Sequence, residues 1–461
     1  MSLYLMIDFG STFTKLTAVD TEKEDIIGTS SHFTTVDTDI TIGYYNALEK
    51  LYDKIGERVN FDKVIACSSA AGGLKMCAIG LIEELTVEAA KRVCLGAGAK
   101  VDLVFSHHLT NTEIEVLKQK NIDIILLAGG TDGGNSECVE YNAEMLGKAG
   151  IKIPVIFAGN KCAIDNIKET FAKYDMNGYI CENVMPKINV LNLPDARNKI
   201  REIFLGNIIE AKGIKKIESA IDKVILPTPE AVLDAALLLS KGYMHESGLG
   251  ELIVVDIGGA TTDLYSLSSP SAKRSDVVLK GLEEPYAKRT VEGDLGMRYS
   301  AVGIAQSLTE EEKRMIKEDY GFDIEEEASY RNTHVENIYD DGKGEIVDMI
   351  LGEVCVDKAM HRHVGIMEEM YTPMGTLYNQ IGKDLSKVGY VIGTGGILIK
   401  AHHSKEILSK VLSTRENILE LRPIYPKFMI DKDYIFASMG LLSKIDPLLA
   451  LKIMKKHIKE I

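Results

Sequence analysis

The sequence predicts an α/β protein of two related domains, with a parallel α/β module inserted into the first. Three observations predict it. The stretch Leu252–Leu267 reads L-I-V-V-D-I-G-G-A-T-T-D-L-Y-S-L, the N-terminus carries a second copy, and alternating apolar strands and amphipathic helices lie between them. A strand–Asp–x–Gly–turn–strand unit repeated about half a chain apart has far too long a period for a solenoid. It implies two domains, each presenting one glycine turn.

Laid over each other, the copies place Asp8 on Asp256, Gly10 on Gly258, Thr14 on Thr262 and Leu16 on Leu264. Each is an apolar strand that ends in a carboxylate and turns back through a segment poor in side chains. Glycine lets backbone N–H groups approach a phosphate closely, and an aspartate there can organise a divalent cation and its waters. Gly-Gly also closes ordinary hairpins, so the argument rests on the repetition.

In chain order, Leu3–Ile7, Thr14–Asp20 and Ile26–Thr35 read as a β-meander, and Tyr44–Ile55 as an amphipathic helix. Lys63–Cys67 is a short strand running into the small residues Ser68 to Gly73, which either line a nucleotide cleft or pack beneath a helix. From about 80 to 205, apolar runs at Val101–Phe105, Ile122–Ala128, Val155–Ala158 and Tyr179–Ile180 alternate with helical Thr112–Gln119, Ser136–Lys148 and Cys162–Lys173. That alternation predicts a parallel sheet. Its Ala128–Asn135 turn, A-G-G-T-D-G-G-N, joins a strand to a helix. Such a turn either binds an anion or packs a sheet edge. It is neither G-x-G-x-x-G nor a P-loop.

Beyond the module, Asn198–Lys216 and Pro229–Lys241 are helical, the second with a small-residue face suited to a close helix crossing. Arg289–Gly296 reads as a loop carrying Glu292 and Asp294, and Thr309–Glu327 as an acidic helix opened by a Thr309/Glu312 capping box. Val347–Tyr371 is predicted helical; its His361 and His363, two apart, point in different directions and form no metal pair. Val388–Ile392 is a strand ending in Gly393-Thr394-Gly395-Gly396, and Tyr434–Leu442 opens a last helix with Ala437, Ser438 and Gly440. Lys455, Lys456 and Lys459 read as a solvated helix end.

Composition narrows the function. With 53 basic against 68 acidic residues, the 461-residue chain has a formal charge of −15, which argues against a nucleic-acid partner. Seven scattered cysteines show no C-x-x-C or Cys/His spacing, so neither a zinc site nor an iron–sulfur ligand set is visible. No apolar run is long enough for a membrane span. The N-terminus enters a strand directly, without a leader pattern, and these features together predict a cytoplasmic protein.

The order of parts resembles the actin / sugar kinase / Hsp70 ATPase superfamily. Asp8–Lys15 is similar to its first phosphate hairpin, Asp256–Asp263 to its second and Gly393–Gly396 to its adenosine loop, while Pro229–Lys241 and Ala437–Leu442 resemble its connecting helices. The motifs D-F-G-S-T-F-T-K, A-G-G-T-D-G-G-N, D-I-G-G-A-T-T-D, R-T-V-E-G-D-L-G and I-G-T-G-G resemble, within it, the glutamate (methylaspartate) mutase accessory proteins. The resemblance implies two actin-like, ribonuclease H-like ATPase domains around a nucleotide cleft. The implied plan is 1–75 for the start of the first ATPase domain, 76–210 for the inserted module and 211–245 for connecting helices. The second ATPase domain would span 246–432, and a C-terminal connecting helix 433–461.

It further implies ATP with Mg²⁺ held at Asp8 and Asp256. Lys15 would touch the phosphates, with Gly10, Ser11, Thr12, Gly258, Gly259, Thr261 and Thr262 around them and Gly393, Gly395 and Gly396 along the adenosine. Asp256 is preferred as the group that orients or deprotonates the attacking water. The implied role is a chaperone-like accessory that reactivates an adenosylcobalamin-dependent mutase through nucleotide-driven domain motion, its partners the mutase subunits. No D-x-H-x-x-G pattern is present, so tightly bound cobalamin is not expected. A small-molecule kinase, with Glu292 or Asp294 as base, and an actin-like scaffold stay open, as does assembly into a homo-oligomer. An iron–sulfur activator of acyl-CoA dehydratases shares the fold, but the absent cysteine pair argues against it.

Overall fold

A computed structural model describes residues 2–34, 40–69, 74–211, 221–271, 277–337, 342–373 and 375–461. The chain divides into two compact units. One comprises Met1–Ser68, Lys216–Lys280 and Glu284–Ile461; the other is Ser69–Lys215 with Gly281–Glu283.

The first unit holds two sheets of matching topology. In one, the strands run in the order Lys223–Pro227, Lys63–Ser68, Leu3–Phe9, Phe13–Asp20, Asp25–Phe33. In the other they run Ala287–Glu292, Thr262–Leu267, Leu252–Ile257, Tyr390–Thr394, Lys427–Asp431, with a short sixth strand, Ile458–Glu460, added at the edge. Numbered within each sheet, both follow 3-2-1-4-5, strands 1 to 3 antiparallel and 4 and 5 parallel to strand 1.

The duplication extends to single bonds. Gly10 N–H donates to Phe13 O at 3.1 Å, and Gly258 N–H to Thr261 O at 2.9 Å. Asp8 lies across the hairpin from Lys15, and Asp256 across from Asp263. Strands 1 are largely apolar up to Asp8 and Asp256 because both faces are covered.

The helices Thr228–Lys241 and Phe436–Ser443 share one core with both sheets. It includes Met6 and Val19 from the first, Val254 and Tyr265 from the second, and Ala231, Ala235, Phe436 and Met439 between them. Small residues let these two helices cross closely: a Cβ added at Gly440 would fall 1.9 Å from Ala231 O.

Several expectations need correction. Ala287–Glu292 is a strand in register with Thr262–Leu267, where a loop was expected. The helix expected to reach Tyr371 ends at His363, and the chain turns into the strand Ile366–Thr372, which pairs with Gly375–Ile381 and, beyond it, Val277–Lys280. The acidic segment is two helices, Glu310–Tyr320 and Ile324–Thr333, because Gly321 adopts a left-handed conformation at φ 76°. Lys455 and Lys456 do stand in the last turn of the helix Pro447–His457, where they pair with Glu246 and Asp25, whereas Lys459 is an exposed residue of the edge strand. The expected turn at Ala70–Gly73 and the far end of the helix expected over Asn198–Lys216 lie outside the described residues.

The second unit is a five-stranded, all-parallel sheet in the order Ala99–Ser106, Leu74–Gly80, Ile124–Leu127, Val155–Phe157, Gly178–Ile180. Its first two strands are swapped relative to the chain, giving the 2-1-3-4-5 doubly wound order. Leu74–Gly80, unforeseen in the sequence, lies between Ala99–Ser106 and Ile124–Leu127. The Ala128–Asn135 turn is held from within. Asn160, fully buried, accepts from Gly133 N–H and donates to Gly134 O and Asn135 O; Asn183 donates to Gly130 O and Asp132.

Gly440→Ala is expected to lower the stability of the first unit by about 1–3 kcal/mol, the range for forcing atoms into a packed interior. Gly206→Ala, on the helix Pro194–Ala211 with nothing within 4 Å of the added carbon, is expected to be neutral or stabilising. Thermal midpoints of the two variants check this.

Candidate nucleotide site

The two glycine turns of the first unit meet. A Cβ added at Gly259 would sit 3.2 Å from Thr12 Oγ1, so the second turn abuts the first. Gly10 and Gly258 spend their N–H groups closing their own turns. Among the described residues, the N–H groups of Ser11, Thr12, Gly259 and Ala260 have no such bond. The Thr12 hydroxyl is buried without a partner.

Asp8 is buried and fully engaged. Its Oδ2 accepts from Lys15 Nζ at 3.0 Å, and its Oδ1 from Thr228 Oγ1 at 2.7 Å and Cys67 Sγ at 3.6 Å. Thr228 opens a connecting helix, so the helix start and the carboxylate are tied together. Asp256 stands differently. Its Oδ1 is buried and accepts no hydrogen bond, although the residue as a whole is part-exposed.

The difference follows from the register. Where the first hairpin sets Lys15 opposite its aspartate, the second sets Asp263. Burial, and after it the neighbouring Asp263, push the Asp256 carboxyl up to about 7; Lys15 opposes this, and Asp8 and Asp431 add to it. Asp263 is itself paired with the buried Arg289, whose Nε donates to it at 2.8 Å. Burial alone would lower the Lys15 ammonium, but Asp8, then Tyr434 and Asp256, outweigh it and its pKa is raised.

The remaining site residues divide. Thr261 Oγ1 donates to Asp263 at 3.0 Å, and the fully buried Thr262 hydroxyl donates to Leu295 O at 2.6 Å, so neither is a free hydroxyl. The three glycines expected along an adenosine have three different settings. Gly393 faces the core, where a Cβ would meet Leu408 and Ile430 within 3.0 Å. Gly395, at φ 96°, passes so close to the second hairpin that a Cβ would lie 2.3 Å from Ile257 O and 2.9 Å from Asp256 Oδ1. Gly396 is exposed, with open space beside it. Thr394 donates to the buried Asp431 at 3.0 Å, and Asp431 also accepts from the N–H groups of Ile435 and Phe436.

The Arg289–Gly296 motif buttresses the second turn. Met297 N–H donates to Gly258 O, Arg298 and Tyr299 N–H to Gly259 O, and Ser300 Oγ to Ala260 O. Gly296 lies against Ala260 so tightly that a Cβ would fall 2.3 Å from its carbonyl carbon. Glu292 and Asp294, the candidate bases of a kinase, are both held by Arg362 at 2.6 and 2.8 Å. Sequence reasoning passed over Arg289, Thr228, Asp431 and Tyr434; the one available signal was the offset that puts an acid where the first hairpin has Lys15.

The residues present fit a magnesium-bound triphosphate: they include an unsatisfied buried carboxylate oxygen, a part-buried lysine and side-chain-poor turns with N–H groups to offer. Among the described residues, no group of three or more His, Cys, Asp and Glu side chains forms a metal cage.

Two sheets of one topology, joined through paired helices with their first hairpins apposed, define a protein of the actin-like ATPase fold. The chain belongs to the MutL protein family, whose model matches residues 4–458. It is 50% identical over 462 residues, covering 100% of both chains, to Protein MutL of Clostridium tetanomorphum. Among solved structures it resembles component A of the Acidaminococcus fermentans (R)-2-hydroxyglutaryl-CoA dehydratase. That match has 9% identity and a TM-score of 0.32 over 99% of each chain. A glycerol dehydratase reactivase matches at 9% identity and a TM-score of 0.33, over 88% of this chain and 94% of that one. At such scores these structures add nothing to what the topology already states. No helix among the described residues is long and apolar enough to cross a membrane.

A raised carboxyl sets a testable pH dependence. The folded protein retains the Asp256 proton up to about pH 7, whereas an unfolded chain releases it near 4. Between these values ionisation costs folded stability, and the cost is complete above about 7. Without nucleotide, Asp256→Asn is therefore expected to stabilise the protein by about 1–3 kcal/mol at pH 8 and to leave it nearly unchanged at pH 4. Urea unfolding at the two pH values measures it.

Proposed function

We propose that this protein hydrolyses ATP and uses the resulting change in domain closure to act on a partner enzyme. The observation that carries the proposal is the unsatisfied, buried Asp256 Oδ1, on the strand that leads into the second glycine turn and within electrostatic reach of Lys15 and Asp8. A carboxyl poised near 7 suits a group that takes a proton from an attacking water. Mg²⁺ bound with the triphosphate would neutralise phosphate charge, with Asp8 and Asp256 as the carboxylates that hold it through water.

In this reading the N–H groups of Ser11, Thr12, Gly259 and Ala260 cradle the phosphate oxygens, and Lys15 balances their charge. The Thr12 hydroxyl adds a donor. Gly395 and Gly396 bring backbone alongside the nucleoside, while Gly393 serves packing. Phosphoryl transfer asks mainly for such positioning and charge stabilisation. Because one ligand touches both sheets, its hydrolysis favours a different relative placement of them, and that differential contact is the source of work on a partner. A coupling of about 1–3 kcal/mol changes a partner's affinity roughly 5- to 150-fold.

The partner we propose is an adenosylcobalamin-dependent mutase of the glutamate mutase type, which this protein would reactivate by releasing damaged cofactor. Membership of the MutL protein family and the motif run quoted above support this choice. The ion pairs of Glu292 and Asp294 with Arg362 weigh against a small-molecule kinase, since neither carboxylate is free to serve an acceptor hydroxyl.

Release of ADP should rise when inactivated mutase is added and should not respond to sugars or small carboxylates. Asp256→Asn is expected to cut hydrolysis by about 100-fold or more while ATP binding changes by less than about tenfold. Transfer of phosphate to a small acceptor, or full turnover in the variant, would overturn the reading.

A further inference from the structure

Between the last long strand of the second sheet, Lys427–Asp431, and the helix Phe436–Ser443 stands Tyr434, a residue that no motif singled out. Two independent observations set it apart. Its backbone is left-handed at φ 56°, an outlier for a bulky side chain and one that persists only where the surroundings impose it. Its ring lies under the Lys15 ammonium, with Nζ 3.6 Å from the ring centroid.

The surroundings that impose the strain can be named. Tyr434 N–H donates to Asp431 O at 3.1 Å, and the Asp431 carboxylate accepts from Ile435 and Phe436 N–H, clamping the turn from both ends. Asp431 in turn is fully buried and held by Thr394, one residue before Gly395, which abuts Asp256. The turn that aims the ring is therefore built by the same strand end that packs on the second hairpin.

We propose that Tyr434 is the positioning residue for Lys15. Its ring face fixes the ammonium from the side of the second sheet while Asp8 fixes it from the first, so that Lys15 reaches phosphate only when the two sheets stand correctly. The inference rests on the nucleotide reading given above for what Lys15 does, but not for where Lys15 is held. Cation–π contact is directional and strengthens out of water, and Asp8 alone would leave a flexible four-carbon chain free to swing. The left-handed backbone at Tyr434 is the cost of aiming the ring inward.

Three variants separate positioning from mere packing. Tyr434→Phe keeps the ring, Tyr434→Leu removes it while keeping bulk, and Tyr434→Gly removes it and relieves the backbone. The first readout needs no nucleotide: acylation of Lys15 by acetic anhydride, followed by peptide mass spectrometry and normalised to the exposed Lys120. Labelling of Lys15 is expected to rise about fivefold or more in the Leu and Gly variants and to stay within about twofold in Phe. The second readout is ATP hydrolysis with Mg²⁺. Turnover number is expected to fall about tenfold in Leu and Gly with a smaller change in KM, and to remain within about threefold in Phe. Thermal midpoints of all three variants accompany both readouts, and turnover is compared at a temperature where each variant is folded.

Unchanged labelling in the Leu and Gly variants, or parental turnover in both, would overturn the inference. A parent protein that neither binds nor hydrolyses ATP would instead overturn the proposed function. The labelling arm would still decide whether Tyr434 holds the lysine.

Discussion

Two carboxylates and one part-buried ammonium lie within electrostatic reach of one another in this fold, and that imbalance governs the rest. Lys15 satisfies Asp8 at 3.0 Å, and the second carboxylate is left with an oxygen that accepts nothing. An interior cannot hold an unpaired charge cheaply, so Asp256 answers by keeping its proton. Arg289, reaching across from the third strand, keeps Asp263 from making the same demand. The turn motif, its buttress and the connecting helices can be understood as what keeps this arrangement from relaxing.

The asymmetry arises inside a symmetric scaffold. Each hairpin supplies the same strand, the same turn bond and an aspartate at the same register, but the cross-strand neighbour is basic in one copy and acidic in the other. Duplication alone would give two equivalent carboxylates. Changing the residue opposite gives one carboxylate that accepts from a lysine and one whose buried oxygen accepts nothing and whose pKa is pushed up to about 7. A carboxyl raised in this way by burial and a neighbouring acid is what general acid–base chemistry near neutrality needs.

Much of this was legible in the residues, and the exceptions have causes. The hairpins announce themselves because a carboxylate ending an apolar run and followed by glycine is an unusual local pattern, and it occurs twice. Leu74–Gly80 stayed hidden although Met76–Ile82 is a continuous apolar run, because such a run without alternation does not tell a buried strand from a helix, and here the strand is buried by its neighbours on both sides. The helix expected to reach Tyr371 shows the opposite error: helical spacing persists past His363, but Gly365 lies 2.6–2.8 Å, at its added Cβ, from the backbone of Ile381–Lys383 and forces the turn. Glu292 and Asp294 looked like free acids because Arg362, which holds both, is about seventy residues away in sequence. Tyr434 had no sequence signal, since neither its backbone conformation nor the lysine over its ring is written locally.

One consequence of the sheet order concerns the module between Ser68 and Lys223. The strands on either side of it, Lys63–Ser68 and Lys223–Pro227, are neighbours and run in the same direction. The end of the first and the start of the second therefore lie at opposite ends of the paired strands, and the chain must travel back between them. The intervening unit is thus also the return path of its host, not an ornament hung from a loop. Cutting it out and splicing the stumps would ask two parallel strands to be joined by nothing, when such a return takes a dozen residues or more. A shortened form of this protein would have to carry a substitute span long enough to cross back over the sheet.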